Sequence, residues 1–122
     1  MYEAAKVAIV DDDFLIVEYL RAVCQGAGCE VVGVAGDGRA AMAMIEEARP
    51  THVLLDYRLG AGPDGVDVSR YVRARGLDPT VIFITGSTEP ETLNRLEAEA
   101  PYKVLIKPIS PDELTGALRG AA

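Results

Sequence analysis

The sequence predicts an α/β domain: an open parallel sheet of five strands, doubly wound, with helices on both faces. Three observations predict it. Short β-rich runs at 6–10, 30–35, 52–56, 80–84 and 102–106 alternate with longer stretches that carry helical apolar spacing, which gives five βα units. The runs Val31-Val32-Gly33-Val34, Val53-Leu54-Leu55 and Val81-Ile82-Phe83-Ile84 are almost continuously apolar, as strands buried on both faces are. A length of 122 residues suits one domain, residues 1–122, and no repeat, low-complexity tract or linker divides it.

Each element has a local reason. After the first strand, Ile16, Tyr19, Leu20 and Val23 recur at three- and four-residue steps, with Asp13 placed to cap the helix start and Gly26 and Gly28 near its end. The Gly36-Asp37-Gly38 turn leads to a second helix whose Ala40, Ala41, Ala43, Met44 and Ala48 allow close packing until Pro50 stops it. Val66, Val68, Tyr71 and Val72 predict a third helix ending near Gly76. The stretch from Glu89 to Ala100 is acidic, with Leu93 and Leu96 as its sizeable anchors, so the fourth helix is expected to be weak or irregular. Ser110-Pro111-Asp112-Glu113 starts the fifth, with Pro in the first turn and acids at the positive end of the dipole. Leu114 and Leu118 dock it. Right-handed crossovers then place helices on both sides of the sheet.

Charge and composition exclude several classes. Twelve Lys and Arg against 19 Asp and Glu give a net charge of −7 and no basic face for a phosphate backbone, so direct nucleic-acid binding is not expected. The longest apolar stretches span five or six residues, against the roughly 20 needed to cross a bilayer. Met1-Tyr2-Glu3 lacks the basic start of a signal peptide. A cytoplasmic protein without membrane contact is expected. Cys24 and Cys29 lack zinc-site spacing and read as structural thiols. His52, the only histidine, falls at the start of a strand rather than its end, which disfavours a hydrolase built on a histidine base.

The chemistry gathers at strand ends. Asp11, Asp12 and Asp13 follow Val7-Ala8-Ile9-Val10, Asp56 ends the third run, Thr85 the fourth, and Lys107 follows the fifth. In an open parallel sheet the carboxyl ends of neighbouring strands line one crevice. Carboxylates crowded there repel by on the order of 4 kcal/mol per pair at about 4 Å and an effective dielectric of about 20. Lys107 offsets one charge. An all-oxygen cluster also suits Mg²⁺, which commonly bridges one or two carboxylates to a phosphate. A carboxylate can attack phosphorus when a metal and a cation spread the charge that develops, so the set points to phosphoryl transfer onto an aspartate.

These residues resemble a known pattern over essentially the whole chain. The acidic pair after Val10, Asp56 after Leu54-Leu55, Thr85 in Ile84-Thr85-Gly86 and the Lys107-Pro108 dipeptide, separated by 45, 29 and 22 residues from Asp11 onward, resemble the receiver domains of two-component response regulators. The resemblance implies a flavodoxin-like sheet of strand order 2-1-3-4-5. It implies that Asp56 accepts a phosphoryl group from phosphohistidine on a sensor histidine kinase or histidine phosphotransfer protein. It further implies Mg²⁺ held by Asp12 directly, Asp11 through water, Asp56 and the backbone carbonyl of Arg58, with Lys107 paired to Asp56 and Thr85 as the sensing hydroxyl. A cis peptide before Pro108, and a small Gly86 that leaves the incoming group a path, complete the set. Readout falls to the surface of the fourth helix, fifth strand and fifth helix, for an effector protein that the sequence does not name.

The chain departs from the pattern in two places. Receivers commonly carry Tyr or Phe three residues before the Lys, where this chain has Val104; Tyr102, two residues earlier and expected on the same strand face, is the candidate substitute. Phe83-Ile84-Thr85-Gly86-Ser87 together with the missing aromatic resembles an atypical stand-alone group with a Phe-Ala-Thr-Gly signature, in which the fourth helix is often short or mobile. The second departure is Gly60-Ala61-Gly62-Pro63-Asp64-Gly65, where many receivers have a Pro four residues after the acceptor, so a longer, more flexible loop is expected. It formally matches G-x-G-x-x-G, but it lies in the third βα unit and follows Asp56, so a glycine-rich connector is the stronger reading than a nucleotide site. Arg58 either reaches over the phosphoryl group or stays idle, and Ser87 either contacts phosphate or starts a turn.

Two other functions compete. A phosphatase of the haloacid-dehalogenase type would place a second Asp two residues after the nucleophile, and position 58 is Arg, so a turnover enzyme is not expected. A pseudo-receiver would be expected to lack the acceptor, Thr or Lys, and all are present. A phosphoryl-accepting switch without an output domain of its own is the reading that remains.

Overall fold

The computed structural model describes residues 4–120. The reading of Met1-Tyr2-Glu3 therefore lies outside the described residues. Strands β1 (Lys6–Val10), β2 (Glu30–Ala35), β3 (His52–Asp56), β4 (Thr80–Thr85) and β5 (Lys103–Ile106) alternate with helices α1 (Phe14–Gly26), α2 (Gly38–Ala48), α3 (Gly65–Ala74), α4 (Pro90–Glu97) and α5 (Pro111–Gly120). All strand pairs are parallel, in the order β2-β1-β3-β4-β5. The predicted strands are displaced by a residue at most.

Successive residues on a strand face opposite sides, so each continuous apolar run feeds two cores. Val7, Ile9, Leu54, Ile82, Ile84 and Leu105 pack with Val17, Leu20, Leu114 and Leu118 of α1 and α5. Ala8, Val10, Val53, Leu55 and Phe83 pack on the other side with Ala41, Ile45, Val66, Val72 and Leu96 of α2, α3 and α4. Val104 belongs to this second side and is half-buried. Tyr102 corrects the expectation of a shared strand face: it precedes β5, is 48% exposed, and its hydroxyl sits against Gly120 of α5.

The helix starts follow local chemistry. Asp13 caps α1 by accepting from the N–H groups of Leu15 (2.9 Å) and Ile16 (3.4 Å). Asp37 caps α2 through Ala40 N–H, and Asp64 with Asp67 forms a capping box on α3. Ser110 and Glu113 do the same for α5, Glu113 N–H donating to Ser110 Oγ and Ser110 N–H to Glu113 Oε1. Helix α4 is the exception. It is the shortest at eight residues, and Glu89 at its N-cap supplies no side-chain hydrogen bond. Its C-terminal end is instead tied to α3, where Arg70 Nη2 lies 3.0 Å from Glu99 Oε2 and Arg73 Nη2 donates to the Glu99 carbonyl at 2.7 Å.

Candidate functional site

Strand register builds the site. Val10 pairs with Leu55, Asp56 with Ile84 and Thr85 with Ile106, so the positions just past these pairs, Asp11, Asp56, Thr85 and Lys107, converge on one edge of the sheet. The ladder runs on beyond the strands: Asp11 N–H donates to Ala35 O, Tyr57 N–H to Ile84 O and Lys107 N–H to Thr85 O, at 3.1, 3.0 and 2.8 Å. The backbone carrying every one of these side chains is thereby fixed.

Asp11, Asp56 and Thr85 are 2%, 5% and 2% exposed, while Asp12 is open to solvent. Lys107 Nζ lies 3.0 Å from Asp11 Oδ2 and 3.5 Å from Asp56 Oδ2, so the ammonium bridges the two buried acids and sits nearer Asp11. Asp11 Oδ1 accepts from Asp13 N–H at 2.9 Å, which fixes its carboxylate. Carboxylate oxygens of Asp11, Asp12 and Asp56 lie within 4.8 Å of one another. Burial, then the charge of Asp11, push the Asp56 carboxyl up from 3.8 to about 6, against the pull of Lys107. Burial works against the charged form of Lys107, but hydrogen bonds and charge from Asp11 and Asp56 outweigh it, and its pKa is raised. One ammonium thus leaves the cluster under-compensated. Hard oxygen donors with unbalanced negative charge fit a divalent cation such as Mg²⁺.

An open cleft of about 630 Å³ lies over these groups, lined by Asp12, Asp56, Arg58, Lys107 and the segment from Thr85 to Glu89. A Cβ added to Gly86 would meet nothing within 4 Å, so the glycine keeps this space open. Thr85 Oγ1 accepts from Ser87 N–H at 3.0 Å, and Ser87 Oγ accepts from Glu89 N–H at 3.1 Å, so Ser87 starts the turn as well as lining the cleft. Arg58 is exposed and stacks over Tyr57 at 5.7 Å. The Lys107–Pro108 peptide is cis.

Of the sequence-predicted residues, Asp11, Asp12, Asp56, Arg58, Thr85, Gly86, Ser87 and Lys107 are brought together, and Tyr102 and Val104 do not line the cleft. The glycine-rich segment acts as a connector. Gly60 and Gly62 hold φ of +75° and +92°, and Gly65 has no Cβ where α3 starts against the Asp56 carbonyl and Tyr57 Cα. His52, hydrogen-bonded through Nδ1 to Thr51 Oγ1 at 2.7 Å, lies at the opposite end of β3 from Asp56. Sequence reasoning missed Thr88 and Glu89 on the cleft wall. It also missed Arg95 of α4, whose Nη1 donates to Tyr57 Oη at 2.8 Å and whose Nη2 lies 3.3 Å from Asp64 Oδ2. The signal available was Tyr57 itself, an aromatic placed directly after Asp56.

The comparisons agree with this geometry. The family model for the response regulator receiver domain matches residues 7–119, and the chain belongs to that family. It is 36% identical over 114 residues to the DNA-binding response regulator MtrA of Mycolicibacterium smegmatis, which covers 93% of this chain and 49% of that protein. It is 28% identical over 113 residues to the transcriptional regulatory protein PdtaR of Mycobacterium tuberculosis, covering 93% and 54%. The chain thus spans about half the length of these relatives. Among solved structures, the signal receiver domain of NarL from Mycobacterium tuberculosis superposes with a TM-score of 0.89 at 33% identity, covering 98% of each chain. The chemotaxis protein CheY4 of Vibrio cholerae gives 0.88 at 29% identity, covering 98% of this chain and all of that one. The protein is therefore a receiver domain with the flavodoxin-like order 2-1-3-4-5, a signalling switch of the two-component class. No helix among the described residues is long and apolar enough to cross a membrane.

Proposed function

We propose that Asp56 is the phosphoacceptor of a two-component phosphorelay and that its modification changes the affinity of this domain for a protein partner. One observation carries the reading: three carboxylates within 4.8 Å of one another, with the Lys107 ammonium 3.0 and 3.5 Å from two of them, beside an open cleft lined by Asp12, Asp56, Thr85 and Lys107. In the reaction, an oxygen of Asp56 bonds to the phosphorus of phosphohistidine on a kinase or phosphotransfer protein. The P–N bond breaks, and the electron pair and a proton end on the imidazole. Asp11, Asp12, Asp56 and the Arg58 carbonyl would hold Mg²⁺, which supplies charge neutralisation for the transferred group when bound. Lys107 keeps Asp11 and Asp56 in register beforehand and pairs with a phosphoryl oxygen afterwards. The Thr85 hydroxyl reorients from Ser87 N–H towards the new acceptor oxygens. Gly86 leaves the donor an unobstructed approach.

Phe14 and Leu15 expose large apolar side chains directly after the acidic run and give the donor protein a surface to grip. The DNA-binding role in MtrA's name is said of a protein about twice this length; with a net charge of −7, this domain acts through cytoplasmic protein partners rather than nucleic acid. Incubation with acetyl phosphate and Mg²⁺, followed by intact mass, tests the proposal. Wild type gains one phosphoryl group and Asp56→Asn gains none; a gain that survives the substitution moves the acceptor elsewhere.

A further inference from the structure

We infer that Tyr57 and Arg95 form the positioning pair through which the state of Asp56 is read out on α4, in a chain whose β5 carries Val104 where an aromatic would do that work. The inference rests on Asp56 as phosphoacceptor. Tyr57 is the residue after the acceptor, and its backbone is held on both sides, Tyr57 N–H donating to Ile84 O at 3.0 Å and Gly65 N–H to Tyr57 O at 2.8 Å. Its ring is shared by two guanidinium groups, with Arg58 at 5.7 Å and Arg95 at 5.6 Å from the ring centre. Arg95 engages both ends of the β3–α3 loop, through Tyr57 Oη at 2.8 Å and Asp64 Oδ2 at 3.3 Å. It extends from the last turn of the one helix without a side-chain N-cap among those whose caps are described, a helix whose C-terminal end is also tied to α3 through Glu99.

The charges supply the coupling. Arg58 and Lys107 are the two cationic side chains lining the cleft. A phosphoryl group brings about two negative charges and strong acceptor oxygens into that cleft. Arg58 is drawn from Tyr57 towards it. Removing one of two like charges from a shared ring lets Arg95 hold Tyr57 and Asp64 more tightly, which clamps α4 onto the acceptor loop. Neither residue touches the reacting atoms.

Beryllofluoride with Mg²⁺ as the phosphoryl mimic provides the test, with bound fluoride followed by 19F NMR and amide exchange followed across 90–97. In wild type, loading slows α4 exchange by about fivefold or more, the lower end of typical allosteric coupling. Tyr57→Phe keeps the ring and removes the hydroxyl that Arg95 uses; Arg95→Ala removes the clamp. Both retain fluoride binding within about twofold while the loading-dependent slowing of α4 disappears, and Arg95→Lys restores part of it. A merely structural role would raise exchange in the unloaded state and leave the loading effect intact. Slowing of α4 in both variants equal to wild type overturns the inference; absence of bound fluoride in wild type overturns the Asp56 reading beneath it.

Discussion

At the scale of single residues, the site is a problem in charge compensation. Asp56 titrates near 6 instead of 3.8, so its folded-state pKa is raised and the protein favours its protonated form. The sign follows directly: below about 4 the group costs nothing, the penalty grows as pH rises from about 4 to 6, and above 6 it is complete. A shift of this size corresponds to roughly 3 kcal/mol, and solvent at the open cleft screens part of it, leaving about 1–2 kcal/mol. Asp56→Asn should therefore stabilise the metal-free protein by about that amount at pH 8, with the gain shrinking below pH 6, as measured by urea unfolding in chelator. Lys107→Ala should do the opposite, costing about 3 kcal/mol at pH 8 because Asp11 and Asp56 stay buried without their cation, and added Mg²⁺ should recover part of the loss. Asp11, Asp12, Asp56, Thr85 and Lys107 were legible in the sequence because each ends or closely follows a strand, and parallel strand ends meet. Tyr57 and Arg95 were not, since their hydrogen bond joins residues 38 apart through a loop whose path periodicity does not specify.

Helices and strands were legible where two independent signals agreed. The first helix had both an apolar stripe and Asp13 at its N-cap, and that cap is formed as anticipated. Asp13→Ala should cost about 1 kcal/mol in thermal or urea unfolding. The Glu89 to Ala100 stretch had only Leu93 and Leu96 as sizeable anchors, and α4 is correspondingly short; the structure adds that it lacks a side-chain cap at its N-terminus. Its amides should exchange faster than those of α1, α2 and α3 in the unmodified protein. Tyr102 shows where pattern reading fails: period-two counting assumes that the strand has already begun, and β5 begins one residue later, at Lys103. The ties from Glu99 to Arg70 and Arg73 replace the missing stripe, and side-chain contacts 29 and 26 residues apart leave no local signature.

For the whole molecule, the five-strand order and the two-sided core follow from continuous apolar runs that alternate between helical layers. That frame brings four strand ends together with little contribution from loops, which is why a site spread over almost a hundred residues of sequence is compact in space. On the function proposed above, this convergence makes one particular carboxylate, among three, the nucleophile towards phosphorus. Borohydride reduction after treatment with acetyl phosphate and Mg²⁺ tests it most directly, because the reagent converts an aspartyl phosphate to homoserine at the modified position. Peptide mapping should find homoserine at position 56, and none when Mg²⁺ is chelated. Homoserine at position 11 or 12, or at no position in a protein shown to have gained a phosphoryl group, would contradict the account.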